Sequence, residues 1–332
     1  MSDTLGGRFT LIWLLVLPLL GACESSPLPA TGDGGPTAPG VGDGGAFDAG
    51  STDGGADAGP LDGGPSTAPG AVGWILDESS LARLLDGGPD ATALAQAYFN
   101  TAGTFLISGQ PPTYPQAAWT RTFTAVDAGL LPALAGCGLP ASVAAVLVDI
   151  ESWSLTPQSD KSAPIAAYAA AWKAVQGYNA DCRDGGAPLL VVAAPATDLV
   201  SILEPDAGAG DKYDAFLSLG LASGIAPSCD LFEIQAQGSE MDPALFVQFV
   251  DGAAAQASAA HPGVRIYAGI STNPDGQRAD AGVIYADILS TLGTVTGYWL
   301  NIPAQGAYCP NCGVAQPGVA TALLRLMDPD AG

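Results

Sequence analysis

Short apolar runs alternate with alanine-rich stretches from residue 71 to the end of the chain, and this alternation limits the possible folds more than any other feature. The apolar runs have the length and the residue content of buried strands. We predict strands at residues 72–75, 104–107, 144–151, 189–194, 231–236, 265–270 and 297–302. The stretches between and after them are rich in helix-forming residues, which predicts helices at residues 91–102, 164–175, 213–221, 243–260, 284–292 and 319–327.

Alternating strands and helices are typical of a parallel sheet covered by helices. We therefore predict an α/β fold, a (β/α)8 TIM-like barrel, formed as a single domain by residues 71–332. Closure of the barrel requires an eighth strand, which we place within residues 123–134. A doubly wound open sheet is the alternative. No glycine-rich phosphate loop follows the first predicted strand, which weakens the nucleotide-binding form of that alternative.

Polar side chains occupy one face of several predicted strands near their carboxyl ends. Asp149 and Glu151 share a face, because side chains alternate along a strand. The same alternation groups further acids, amides and indoles, namely Trp153, Glu233, Gln235, Gln237, Trp299 and Asn301. Leu231, Ile234 and Leu300 are expected to face the helices. Because strands of a parallel barrel are normally almost continuously apolar, the polar set predicts a site at the barrel mouth.

This set of residue types suits a carbohydrate, because amides and carboxylates bond hydroxyl groups and indole rings stack on sugars. Two carboxyl groups also supply the acid and the base or nucleophile of glycoside hydrolysis. We predict Glu151 as the catalytic acid, with Asp149 or Glu233 as the second carboxylate. The predicted substrate-binding residues are Trp153, Gln235, Gln237, Asn273, Trp299 and Asn301. The alternatives are a non-catalytic barrel that binds a glycan or a partner, and purely structural roles for these side chains.

Two of these segments resemble glycoside hydrolase family 18. The D-x-E formed by Asp149 and Glu151 is similar to the end of that family's fourth-strand motif, DxxDxDxE, and Trp299 is similar to its eighth-strand tryptophan. The resemblance implies a (β/α)8 barrel in which Glu151 is the general acid and Asp149 orients a substrate acetamido group that acts as the internal nucleophile. It also implies that Trp299 floors the sugar site.

The chain also departs from the family pattern. Ala144 and Leu147 stand where the motif has its first two aspartates, and a Gln-Ala-Gln run stands in place of the family's Tyr-Asp pair. Taken together, the rim residues look closer to a secreted bacterial barrel family than to well-studied hydrolases.

The N-terminal segment predicts export and a lipid anchor. Arg8 precedes an apolar run at residues 11–20, about half of the roughly 20 residues that span a bilayer, so residues 1–22 read as a secretory signal. Leu20-Gly-Ala-Cys23 resembles the bacterial lipobox, which implies cleavage before Cys23 and acylation of its thiol. The predicted partner is therefore a lipid bilayer. Glu24 in place of aspartate favours the outer membrane; an ordinary cleaved signal is the alternative.

Residues 23–70 are predicted to be a disordered tether. This segment is rich in glycine, aspartate, alanine and proline, and it has very few large apolar side chains. Such a composition cannot bury enough apolar surface to offset the chain entropy lost on folding. We therefore expect the barrel to stand away from the membrane on a flexible spacer.

Charge and cysteine content exclude several classes of function. The formal net charge is −23, and basic residues are too few for binding to nucleic acid. A single histidine, His261, lies in a turn before a strand, which disfavours a Ser-His-Asp mechanism. No metal site or cofactor is predicted, because zinc needs more ligands than His261 and one CxxC supply.

The cysteine count also has a consequence for disulfides. With Cys23 acylated, an odd number of cysteines remains, so at least one is free or paired between chains. Cys309 and Cys312 are predicted to form a structural disulfide rather than a redox centre. A redox pair normally begins a helix, and here several residues separate the pair from the predicted helix at 319–327.

Overall fold

Parallel strands close into a barrel in chain order, which confirms the predicted (β/α)8 TIM-like architecture. The structure is a computed structural model that describes residues 66–207, 212–306 and 309–328. The strands are β1 (Gly73–Asp77), β2 (Thr104–Ile107), β3 (Ala118–Phe123), β4 (Val143–Ile150), β5 (Leu190–Pro195), β6 (Leu231–Ile234), β7 (Arg265–Ser271) and β8 (Gly297–Asn301). Trp74 of β1 is the register partner of Tyr298 of β8, and this parallel pairing closes the barrel.

Helices surround the barrel. They are α1 (Glu78–Leu85), α2 (Pro89–Phe99), α3 (Leu131–Leu134), α4 (Gln158–Ser162), α5 (Pro164–Cys182), α6 (Val200–Leu203), α7 (Lys212–Ser218), α8 (Leu221–Ile225), α9 (Pro243–Ala260), α10 (Ala281–Thr291) and α11 (Pro317–Met327). Helix α9 begins where the Asp242 side chain accepts the N–H of Leu245, with proline in the first turn. In the described part of the chain, no helix has both the length and the apolar character that crossing a bilayer requires.

Strand alternation divides the apolar side chains between two cores. Ile75, Phe105 and Leu147 pack inside the barrel. Trp74 belongs to the core between barrel and helices, where its ring packs edge-on against Phe99 at 5.3 Å. The interior of the barrel is thus filled by side chains and is not a pore.

Leu231 lies inside the barrel rather than against the helices, so that part of the prediction was wrong. The reason is that Leu231 and Glu233 are two residues apart and therefore share a strand face. Ile234 and Leu300 lie in the outer core, as expected.

The remaining strand lies earlier than predicted. It is β3, which overlaps the predicted range 123–134 only at Phe123, and residues 126–134 are helical. The sequence of β3 reads Ala-Trp-Thr-Arg-Thr-Phe, and Thr120 and Thr122 pair with the interior residues Ala145 and Leu147 of β4. Because threonines occupy its inner face, β3 lacks the continuous apolar pattern from which the other strands were predicted. Pro132 also disfavours a central strand, because it lacks the N–H needed by the ladder.

Packing extends to the beginning of the described chain. The Thr67 hydroxyl is buried and donates to the carbonyl of Met327, at the end of α11, at 3.0 Å. The predicted signal at residues 1–22, the lipidation site Cys23 and the predicted tether up to residue 65 lie outside the described residues.

Two disulfides and one free cysteine account for the cysteines of the described chain. Cys137 is bonded to Cys182 at the end of α5, and Cys309 is bonded to Cys312. Cys229 is free and buried, and burial raises the pKa of its thiol. Cys229 is therefore a poor nucleophile at neutral pH.

Removal of the Cys137–Cys182 disulfide is expected to destabilise the barrel. Its sequence separation of 45 residues corresponds, in the chain-entropy treatment, to about 4 kcal/mol of unfolding free energy. A Cys137→Ala/Cys182→Ala variant should therefore unfold at lower urea concentration than the wild type, as followed by circular dichroism. Cys229→Ala, which breaks no disulfide, is the control. Equal midpoints for the disulfide variant and the wild type would contradict this expectation.

Candidate functional site

The carboxyl ends of the strands bring several predicted residues to one end of the barrel. Asp149 lies in β4 and Glu151 follows that strand, while Gln235 follows β6. Ser271 and Asn301 end β7 and β8 and are register partners. Because parallel barrel strands all end on the same side, these residues meet at the mouth, where barrel enzymes carry their sites.

A polar cleft opens at this mouth. It encloses about 670 Å³, counting the space open to solvent. The predicted residues that line it are Glu151, Gln235, Gln237, Asn273 and Asn301. The predicted residues that do not line it are Asp149, Trp153, Glu233 and Trp299. Its lining is rich in amides, hydroxyls and carboxyls, which suits a hydroxyl-rich ligand.

Asp149 and Glu151 form a hydrogen-bonded carboxyl pair. They are 1% and 3% exposed. Burial raises the pKa of both groups, and the nearby charge of Asp198 raises both further. The Gln235 amide, whose Nε2 lies 3.4 Å from Oδ1 of Asp149, acts in the opposite direction. Two buried carboxyls in contact cannot both ionise easily, so the pair retains a proton towards neutral pH.

Asp198 belongs to the site although the sequence pattern did not single it out. It lies in the short helical turn Thr197–Leu199 after β5 and lines the cleft. Its carboxylate accepts the backbone N–H of Ser152 at 3.2 Å and a short hydrogen bond from the Ser152 hydroxyl. Asp198 thereby holds the segment that follows Glu151. Asp198 comes shortly after β5, where barrel enzymes carry site residues. This position is the sequence feature that could have identified it.

Glu233 lies deeper in the barrel than the cleft. Its side chain is 0% exposed, and among the described residues neither of its carboxyl oxygens has a hydrogen-bond partner. Burial raises its pKa well above the usual range, with a smaller contribution from Asp149. Glu233 is therefore an interior acid behind the Asp149–Glu151 pair, and it has no direct path to a ligand in the cleft.

Both predicted indoles are buried. Trp299 is 5% exposed and packs in the barrel interior with Ile75 and Phe105. Trp153 packs against the Cys309–Cys312 disulfide, and its Nε1 donates to the Thr156 hydroxyl at 2.8 Å. In this conformation the two rings support the walls of the site from behind and offer no stacking face to the cleft.

Asn273 and the Cys309–Cys312 loop form one wall of the cleft. The Asn273 Nδ2 donates to the carbonyl oxygens of Cys312 at 2.6 Å and Pro303 at 3.2 Å. The Asn273 amide is therefore committed to joining the loops after β7 and β8. Its contribution to a ligand site is mainly the position of this wall.

The described residues at the barrel mouth do not favour histidine-based or metal-based catalysis. His261 lies at the opposite end, before β7, with Nδ1 2.9 Å from the carbonyl oxygen of Ala226. Within the described ranges, no group of three His, Cys, Asp or Glu side chains is arranged to hold a metal ion. A comparison with protein families found no family model that matches the sequence, and a comparison with curated proteins found no match.

Proposed function

We propose that this protein is a lipid-anchored, extracytoplasmic glycoside hydrolase whose reaction is centred on Asp149 and Glu151. The observation that carries the proposal is the hydrogen-bonded carboxyl pair at the barrel mouth, of which Glu151 lines a polar cleft. Burial favours the protonated form of this pair. A glycosidase needs a carboxylic acid that keeps its proton near neutral pH.

Glu151 is the proposed general acid. Because it lines the cleft, its proton is placed to reach the glycosidic oxygen of a bound sugar. Asp149 lies behind it and, as the more readily ionised partner, accepts the hydrogen bond that orients the Glu151 carboxyl group. After Glu151 has donated its proton to the leaving group, its carboxylate can take a proton from the attacking water.

The second group of the reaction depends on the sugar. Glu151 follows the fourth strand, whose end carries the similar motif in glycoside hydrolase family 18. This agreement supports an acetamido sugar, whose own carbonyl oxygen attacks the anomeric carbon. For sugars without that group, Asp198 is the cleft carboxylate close enough to raise the pKa of Glu151.

The proposed location follows from the sequence before residue 66. The lipobox-like segment ending at Cys23 supports acylation and attachment to the outer membrane. The two disulfides of the barrel are consistent with this location, because disulfides persist in oxidising compartments outside the cytoplasm.

The test is reducing-end release from a panel of polysaccharides that contains polymers with and without acetamido groups. We expect the purified wild-type protein to cleave at least one polymer of the panel, with acetamido polymers favoured. Cleavage restricted to polymers without acetamido groups would support a hydrolase but contradict a mechanism in which the acetamido group of the substrate is the nucleophile. Absence of cleavage across the panel would overturn the proposed function.

A glycan-binding protein without turnover is the second candidate, and the burial of Glu151 favours it, because a 3%-exposed carboxyl has little contact with a ligand. A glycan array distinguishes it from the hydrolase: binding without product release, lost in a variant of the cleft residue Gln237→Ala, supports the binding protein. Absence of both binding and cleavage by the wild type counts against both candidates.

A further inference from the structure

Glu240 joins the ends of two neighbouring strands from behind the cleft. It lies in the loop between β6 and α9 and is fully buried. Its Oε1 accepts the backbone N–H of Ser271, at the end of β7, at 2.8 Å. Its Oε2 accepts the backbone N–H of Gly238, in the loop after β6. Gly238 and Ser271 both line the cleft, but Glu240 does not. One carboxylate therefore holds two segments of the cleft wall together.

The loop that Glu240 holds carries Gln237. The Gln237 side chain lies directly against Gly269 of β7, where a Cβ atom would come within 2.2 Å of its Cδ. Only glycine leaves room for the amide at this position. Gln237 lines the cleft, and its Oε1 is buried with no hydrogen-bond donor among the described residues. A buried acceptor without a donor is unfavourable, so the amide is kept in this position by the loop that carries it and by its packing against Gly269.

We propose that Glu240 is a positioning residue of the cleft, which fixes the loop after β6 so that the Gln237 amide is held in the cleft wall, ready for a polar group of the ligand. The identity of that ligand as a glycan rests on the proposed function, whereas the fixing of the loop does not. Glu240 acts through backbone groups of Gly238 and Ser271 and has no contact of its own with the cleft.

The chemistry of the carboxylate explains why glutamine cannot replace it. Both oxygens of Glu240 accept an N–H, and these two bonds favour the ionised carboxylate, although burial raises the pKa of Glu240 to about 8. An amide has one acceptor oxygen and one NH2 group. In a Glu240→Gln variant, one of the two backbone N–H groups would therefore face another donor and lose its partner.

Hydrogen exchange of the folded protein, followed by mass spectrometry, tests the positioning role without any substrate. In Glu240→Gln we expect exchange in the segments 236–242 and 269–273 to accelerate roughly tenfold or more, as expected when a buried backbone N–H loses its acceptor. Asp160→Asn is the matched control, because Asp160 is a buried carboxyl that accepts the backbone N–H of Val126 and bonds neither Gly238 nor Ser271. If Glu240→Gln does not fold, Glu240→Asp keeps the carboxyl group, shortens the reach and is measured in its place. Unchanged exchange in both segments overturns the proposal.

A double-mutant cycle then separates positioning from general stabilisation. The dissociation constant of N-acetylglucosamine tetrasaccharide is measured for the wild type, Gln237→Ala, Glu240→Gln and the double variant. If Glu240 acts through Gln237, Glu240→Gln weakens binding in the wild-type background and has no further effect beside Gln237→Ala. Additive effects overturn the action through Gln237. If the wild type does not bind this probe, the acetamido form of the proposed function fails, and the exchange result alone decides the role of Glu240.

Discussion

Replacement of Glu151 by glutamine is expected to lower kcat for polysaccharide hydrolysis by at least about a hundredfold, because general acid catalysis typically contributes 10²–10⁴. Glutamine has nearly the same shape as glutamic acid but has no proton to give to a leaving group. KM should change little, since the amide preserves the lining of the cleft. The measurement is initial-rate reducing-end release on the polymer that the wild type cleaves best.

Glu78→Gln is the control for this variant. Glu78 follows β1 at the same end of the barrel, is exposed, and accepts a hydrogen bond from the Ser108 hydroxyl at 2.8 Å. It does not line the cleft, so its variant should retain wild-type turnover. Undiminished turnover in Glu151→Gln would refute the assignment of the acid and leave Asp198 and Asp275 as the other carboxyl groups that line the cleft.

The barrel could be predicted from the sequence because each strand except one carries its apolar pattern openly. Parallel barrel strands are buried on both faces, so their runs of valine, isoleucine and leucine stand out. Strand β3 is the exception, because its inner face carries Thr120 and Thr122. A strand whose interior side chains are polar resembles a loop in sequence. Closure of an eight-stranded barrel indicated that one more strand was needed, but it did not indicate the position of that strand in the sequence.

Alternation along a strand predicted which rim residues share a face, but it does not predict how far below the barrel mouth each residue lies. Glu233 and Gln235 lie on the same face, and only Gln235 reaches the cleft. Two residues along a strand correspond to about 6.6 Å of rise, which is enough to separate a ligand site from a closed interior. The depth at which the mouth begins is set by the loops and by the packing of side chains such as Trp299, and no local pattern encodes it.

Asp198 and Glu240 were missed for a related reason. Asp198 lies in a short helical turn and Glu240 in a loop, and the sequence contains many carboxylates in such connecting segments. What distinguishes these two is the set of backbone N–H groups they accept, from Ser152 for Asp198 and from Gly238 and Ser271 for Glu240. Those contacts depend on how neighbouring loops pack across the barrel end, which is a tertiary property.

Replacement of Glu233 by glutamine is expected to stabilise the protein at pH 8 and to leave its stability unchanged near pH 4. Burial raises the pKa of Glu233 well above that of an unfolded carboxyl group, about 4.3. As pH rises past that ordinary value, the unfolded chain releases a proton that the folded chain retains. Stability therefore falls as pH rises towards the folded pKa, and it is highest below the unfolded one. Glutamine is uncharged at every pH, so the variant does not undergo this decrease in stability as pH rises.

The measurement is the thermal midpoint of the wild type and of Glu233→Gln from pH 4 to pH 8. One unit of pKa shift corresponds to about 1.4 kcal/mol, and a domain of this size gains roughly 2–4 °C per kcal/mol, so we expect the variant to melt several degrees higher at pH 8. Glu78→Gln, at an exposed carboxyl, should follow the wild-type curve throughout. If the Glu233→Gln and wild-type curves run parallel instead, Glu233 is ionised inside the barrel. A buried charge requires a compensating partner, so that result would require a cation or donor group beside the Asp149–Glu151 pair and would change which of the three carboxyls keeps the catalytic proton.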